Sequence, residues 1–265
     1  MKKIINFKPN TKDSIMKVIF RACDKQGSVN GVPRPWEMDK KEVLDVCFRS
    51  LHLSLRDKPH EIHVIGDSLS EERVNFFKEL EPDCVIYNHE DIGNDNSILK
   101  SFELAETFDD EDIIYFCEDD YLHIMDGFYD NIVEFLELHR DHEVPFFIHP
   151  TDYPDQYNRL QKRSYIVASK SCHFREVSSS TFTFLTIKKN FMKYIEEFKK
   201  SSTGAQDGEF SKIFGDSALC FSPIPSLAAH LHIGTMPPYV PWDMIRFYTN
   251  SVMNIPQQVK MMTTA

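Results

Sequence analysis

Apolar positions in the first half of the chain follow two alternating rhythms. Short runs at Val18 to Ala22, Ile62 to Ile65, Cys84 to Tyr87 and Ile113 to Cys117 have the length and composition of buried strands. Between them the spacing lengthens to that of a helix. Val43, Cys47, Leu51 and Leu55 fall four residues apart within Lys41 to Leu55, and Ile98, Phe102 and Ala105 share one face of a segment that Asp95 or Asn96 can cap. Ser70 opens a further helix, whose first turn carries Glu71 and Glu72 near the positive end of the helix dipole. Glycines and prolines punctuate the joins: Gly27, Gly31, Pro33 and Pro35 after the first strand, and Gly66-Asp67-Ser68 after the second. Strands and helices alternating in this way predict an α/β fold with a mostly parallel central sheet flanked by helices.

Beyond Gly127 the alternation weakens. A helix with Phe128, Ile132 and Phe135 on one face precedes strand-like pieces at Phe146 to His149, Tyr165 to Ala168 and Phe182 to Thr186, with polar loops at Tyr153 to Arg163 and Ser169 to Ser180. A helical stretch, Phe191 to Phe198, then leads to a polar loop and a short helix carrying Phe210, Ile213 and Phe214. With no internal repeat or low-complexity tract, the expectation is one domain over residues 1–265, its second half an irregular, substrate-facing layer.

Composition narrows the class. Hydrophobic residues make up 42% of the chain and aromatic ones 12%, enough for a sizeable core. No apolar run approaches the roughly 18 residues of a bilayer span, and Met1-Lys2-Lys3 leads into only a short apolar step before Asn6. A cytoplasmic protein without membrane attachment is expected. Cys23, Cys47, Cys84, Cys117, Cys172 and Cys220 are scattered, lack paired zinc spacing and read as reduced thiols. A net charge of −11 disfavours a broad grip on nucleic acid, leaving Lys188, Lys189, Lys193, Lys199 and Lys200 as a local basic patch.

Against that background the end of the fourth strand stands out. Ile113 to Cys117 runs directly into Glu118-Asp119-Asp120, three acids that repel one another unless a cation joins them, and such oxygen ligands suit Mg²⁺ or Mn²⁺. Ligands of open α/β sheets lie outside the carboxyl ends of the strands, which is where these acids fall; the plainer alternative is a solvated turn. Asp207, in Gln206-Asp207-Gly208-Glu209, is either a helix cap or a general base for an attacking hydroxyl. His230 and His232 alternate within Ala229 to Gly234 and so point the same way, as metal ligands or as plain hydrogen-bonding side chains. Arg21 at the tip of the first strand and Lys100 in the helix before the acids are candidates for phosphate contact, or surface charges. Tyr239-Val240-Pro241-Trp242 reads as a packed tail or a lid. There is no glycine-rich lysine loop, no G-x-G-x-x-G and no nucleophile-elbow serine.

In the order of these features the chain resembles the nucleotide-sugar glycosyltransferases of the GT-A type, over roughly Lys17 to Gly234 and by order and spacing more than by any one string. The resemblance implies a metal-dependent transfer of a sugar from a nucleoside diphosphate sugar, a UDP-sugar first, to an acceptor hydroxyl. Glu118-Asp119-Asp120 takes the place of the acidic "DxD" motif, with Asp120 as ligand of Mn²⁺ or Mg²⁺, Glu118 and Asp119 beside the donor, and His232 as the late metal ligand. Asp207 becomes the base of an inverting reaction, Arg21 and Asp67 fall where the family holds the nucleotide base and ribose, and Lys100 faces the phosphates. Residues 17–121 would then form the nucleotide-sugar half and 122–265 the acceptor half with its tail. The first acid is Glu where the family commonly has Asp, and His230 competes with His232 for the metal. The acceptor is a glycan or a hydroxymethylated base of phage DNA, the latter placing the protein in a bacterial host cytoplasm. Two other readings stand beside this one: a nucleotidyltransferase on the same fold, and a non-catalytic interaction protein that has kept it.

Overall fold

The computed structural model describes residues 15–25, 33–158, 163–215 and 217–253; Gly27 and Gly31 of the first loop lie outside them. The first half alternates as its pattern predicts: β1 (Met16–Cys23), α1 (Lys40–Leu55), β2 (His60–Asp67), α2 (Glu71–Leu80), β3 (Val85–His89), α3 (Gly93–Ala105) and β4 (Ile113–Glu118). The second half continues with β5 (Tyr121–His123), α4 (Phe128–Leu138), β6 (Phe146–Ile148), α5 (Asp155–Asn158), β7 (Ile166–Ala168), β8 (His173–Val177) and β9 (Phe184–Ile187). It closes with α6 (Lys188–Met192), α7 (Ile195–Ser202), a 3-10 turn (Asp207–Lys212), β10 (Leu219–Ile224), β11 (Ala228–His230) and α8 (Trp242–Met253).

Nine strands form one sheet in the order β3-β2-β1-β4-β9-β6-β10-β8-β7. The first four are mutually parallel, as are β6 and β10, while β9, β8 and β7 join antiparallel. The α/β architecture with a large, mostly parallel central sheet is therefore as expected, and the added antiparallel strands are what blurred the pattern of the second half. β8 lies in the segment Ser169 to Ser180 that reads as a polar loop, and β10 carries Pro223.

The central parallel strands β1 and β4 are apolar on both faces because helices cover both, whereas β3, at the sheet edge, is largely exposed. Val18 and Phe20 of β1 and Tyr115 of β4 pack against Leu44 and Phe48 of α1, Phe77 of α2 and Ile132 and Phe135 of α4. Their alternating neighbours Ile19, Ile114 and Phe116 pack with Phe102 of α3, Phe191 of α6, Phe198 of α7 and Phe210 of the 3-10 turn. α1 and α3 thus leave opposite faces, and the strand order reverses between β1 and β4. This is the crevice in which open α/β sheets bind ligands. A separate two-stranded ribbon pairs β5 with β11, Tyr121 opposite His230. No helix among the described residues is long and apolar enough to cross a membrane.

Candidate active site

The register of β1 and β4 sets Arg21 directly beside Glu118, and that of β1 and β2 sets Cys23 beside Asp67. All four lie at carboxyl ends of parallel strands, around a cleft of about 250 Å³ that also takes in Asp119, Asp120, Lys40 and Asn94. A neighbouring cleft of about 280 Å³ shares Cys23 and Lys40, but its charges are committed to one another: Arg73 bonds Asp24 at 2.9 Å and also contacts Asp45.

The three acids are held apart by three cations. Arg21 Nη2 donates to Glu118 Oε1 at 2.7 Å, Lys40 contacts Asp119 Oδ1, and Arg34 Nη1 donates to Asp120 Oδ2 at 2.9 Å. Thr183 Oγ1 donates to the other Glu118 oxygen at 3.2 Å, and the Cys23 amide to the other Asp119 oxygen at 3.1 Å. Burial pushes the Glu118 carboxyl above its usual range, with Arg21 opposing and the Asp120 charge adding to the rise. Burial would push Asp120 up as well, but His230, His232 and Arg34 hold it well below the usual carboxylate range.

Asp120 and the histidines meet because of the ribbon. Glu118 ends β4, Asp119 and Asp120 make the turn, and β5 returns alongside β11, where the Leu231 amide donates to the Asp120 carbonyl at 2.8 Å. His230 Nε2 then stands 3.3 Å and His232 Nε2 3.5 Å from Asp120 Oδ2. β11 stops at His230, so His232 reaches the carboxylate from the following turn, and both histidines converge where the sequence left one to be chosen. Ligand atoms of Asp120, His230 and His232 lie within 4.8 Å of one another.

These residues fit a divalent cation. Asp120 Oδ1 is buried without a hydrogen-bond partner, a deficit an ion would remove. His230 lies flat on the Tyr121 ring, with centroids 4.8 Å apart, and its Nδ1 meets the Tyr153 hydroxyl at 3.2 Å, which leaves Nε2 toward Asp120. Outer partners of this kind orient a metal-binding imidazole. Burial lowers the His230 pKa, but the Asp120 and Glu118 carboxylates outweigh it and the net shift is upward.

Asp67 is fixed from outside its own strand. Its two carboxylate oxygens accept the amides of Ile92 at 3.2 Å and Gly93 at 3.0 Å, so it caps α3, where neither Asp95 nor Asn96 does. Gly66 precedes it for lack of room: a Cβ there would meet Leu69 side-chain carbons at 2.4 and 2.7 Å. Arg21 is locked equally firmly, donating to Asn94 at 3.1 Å and Ser97 at 2.8 Å besides Glu118.

Asp207 begins the 3-10 turn, half-buried, with Phe210 of the same turn in the core. Burial raises its pKa, with the Gly208 amide and the charge of His230 opposing the rise, and Asp207 is not among the residues that line the cleft. Lys100 is brought to no such place: it is exposed on α3 and pairs with Glu103 at 2.8 Å, as a surface charge. Two lysines of the basic patch fare likewise. Lys188 and Lys189 pair with Asp110 and Glu111, and the Lys188 amide bonds the Asp112 carbonyl at the far end of β4, a strand length of roughly 20 Å from Glu118. In the tail, Trp242 is buried and donates to the Pro237 carbonyl at 2.9 Å, while Tyr239 is 79% exposed.

Arg34, Lys40, Tyr153 and Thr183 were not among the residues the sequence singled out. Lys40 left one trace, a cation in the first turn of a helix whose capping box, Asp39 with Glu42, is legible, although the helix dipole disfavours positive charge there. Arg34 sits between Pro33 and Pro35 and carries no comparable mark.

No family model matches the chain, and no curated protein matches its sequence. The solved structures it resembles include GT-A glycosyltransferases. Residues 1–349 of S. aureus TarS are 10% identical over 78% of this chain, with a TM-score of 0.46; the chain spans 60% of that fragment. The galactosyltransferase LgtC, solved with donor and acceptor sugar analogues, is 14% identical over 77% of this chain and 73% of its own, at 0.44. The 2-C-methyl-D-erythritol 4-phosphate cytidylyltransferase of Francisella tularensis is 11% identical over 90% of this chain and 99% of its own, at 0.46.

Proposed function

We propose that this protein is a metal-dependent glycosyltransferase that moves a sugar from a nucleoside diphosphate sugar to an acceptor hydroxyl with inversion. The observation that carries the proposal is the convergence of Asp120, His230 and His232 beside a cleft whose other walls are Arg21, Asp67, Glu118 and Asp119, at the carboxyl ends of β1, β2 and β4. Asp120, His230 and His232 would hold Mn²⁺ or Mg²⁺, which when bound neutralises charge on a diphosphate. Asp67, a buried carboxylate at the β2 tip, suits a ribose hydroxyl, and Glu118 at the end of β4 and Asp119 in the turn after it line the donor's cleft. Asp207 is the general base: it takes the proton of the acceptor hydroxyl as that oxygen bonds the anomeric carbon and the bond from that carbon to the diphosphate breaks. A carboxylate in this role contributes about 10²–10⁴ in rate. A single displacement inverts the anomeric centre. A glycan is the favoured acceptor, because three of the five lysines that would have supported DNA, Lys188, Lys189 and Lys199, are paired to acids.

The test is thermal stability with UDP, GDP and CDP, each with and without Mn²⁺. One nucleotide at a hundred times its dissociation constant adds about 2.7 kcal/mol, and the gain is expected only with the metal present. Absence of any shift across all three nucleotides ends the donor reading.

A further inference from the structure

One oxygen carries more than it can keep. Asp120 Oδ2 receives Arg34 Nη1 at 2.9 Å while both histidine Nε2 atoms stand within 3.5 Å of it. A cation held by Asp120, His230 and His232 would share one buried carboxylate with the guanidinium, and two positive charges on that single side chain oppose one another whichever of its oxygens the cation takes. Arg34 is the more replaceable of the two. Its other hydrogen bond among the described residues is from the same Nη1 to the Leu231 carbonyl, at a longer 3.2 Å, and its Nε and Nη2 make none there. Its backbone is anchored without the side chain, the Ile233 amide donating to the Pro33 carbonyl at 3.0 Å. Arg34 also lines the cleft, and its fork of donors is the shape that grips phosphate oxygens two at a time. Arg21, the other arginine of the cleft, has no such freedom, being bonded to Asn94, Ser97 and Glu118.

We propose that Arg34 is a diphosphate-binding residue kept in reserve on Asp120, released to the donor's phosphates when Asp120 takes a cation. The inference rests on the metal-dependent transferase reading and adds to it an order of events, metal before donor, with Arg34 as the link. Competition predicts opposite signs for the two ligands, which a merely structural arginine would not give.

The experiment titrates Mn²⁺ into nucleotide-free wild-type, Arg34→Gln and Arg34→Lys protein by electron paramagnetic resonance of the free ion, then UDP into each with Mn²⁺ saturating. Coupling of ordinary size predicts that Arg34→Gln binds Mn²⁺ at least about fivefold tighter than wild type and UDP at least about fivefold weaker, with Arg34→Lys between them in both. Thermal melting of each variant establishes that it folds, and if Arg34→Gln does not, Arg34→Lys carries the same two signs. Unchanged or weakened Mn²⁺ binding in the folded variants overturns the proposal, as does undiminished UDP binding. Those failures leave the transferase reading standing. Failure of wild type and both variants to bind Mn²⁺ removes that reading, and this inference with it.

Discussion

Asp207 is where a single residue decides most. A base must be ionised to accept a proton, and burial holds the Asp207 pKa above the ordinary carboxylate value. Activity is therefore expected to fall, as pH drops, earlier than for an exposed carboxylate, so the acid limb of kcat/KM should lie above the usual carboxylate range. Asp207→Asn should lower kcat by about 10²–10⁴ and leave UDP binding within twofold or so of wild type. Unchanged turnover in that variant would remove Asp207 from the chemistry. At this scale the sequence was informative where a residue type was out of place: three acids against an apolar strand, two histidines in alternation. It was silent about Arg34, whose partner Asp120 lies 86 residues away. It left Lys100 open between a phosphate contact and a surface charge, because position within a helix does not say which way a side chain faces when its stripe is only partly apolar, and the side chain pairs with Glu103 on the surface.

Elements were legible as far as their burial was simple. β4 is apolar on both faces because α1 and α3 leave opposite sides of it, and a run of five such residues is hard to mistake. Of the three-residue strands, β6 and β7 showed as short apolar runs, whereas β5 and β11 are too short to show a period, and Pro223 interrupts the pattern of β10. Packing between elements also carries polar clamps that no period reveals. Glu81, at the end of α2, accepts from the His52 ring on α1 at 2.7 Å and lies 3.5 Å from His60 on β2. Burial would raise its pKa, but the two imidazoles lower it to about 2, and Glu81 in turn raises that of His60. The sign follows for each group. Stability from Glu81 is complete above the ordinary carboxylate value of 4.5 and is lost as pH falls toward 2; that from His60 is complete below the ordinary imidazole value of 6.5 and is lost as pH rises through its elevated one. Denaturant unfolding between pH 4.5 and 6.5 should show Glu81→Gln about 1.5–3 kcal/mol less stable than wild type. The gap should narrow at both extremes, and a gap that stays constant with pH would mean the cluster is held by packing alone.

For the whole molecule, charge and topology point to different partners, and their disagreement can be measured. The fold places a cleft at the switch point between β1 and β4, which suits a small anionic donor, while the net charge of −11 opposes a long anionic one. Within the cleft the two tendencies are reconciled locally, since Arg21, Arg34 and Lys40 each face one acid. Among the described residues of the basic patch, Lys188, Lys189 and Lys199 are already committed to Asp110, Glu111 and Glu106, which leaves only Lys193 and Lys200 to meet a polyanion. Duplex DNA should therefore bind more weakly than roughly 10⁻⁴ M at about 50 mM salt, by gel retardation or fluorescence anisotropy. Hydroxymethylated DNA should behave in the same way. Micromolar affinity that falls steeply as salt is added would show that cations outside the cleft give up their acids to phosphate, and would make a DNA base the acceptor to pursue ahead of a glycan.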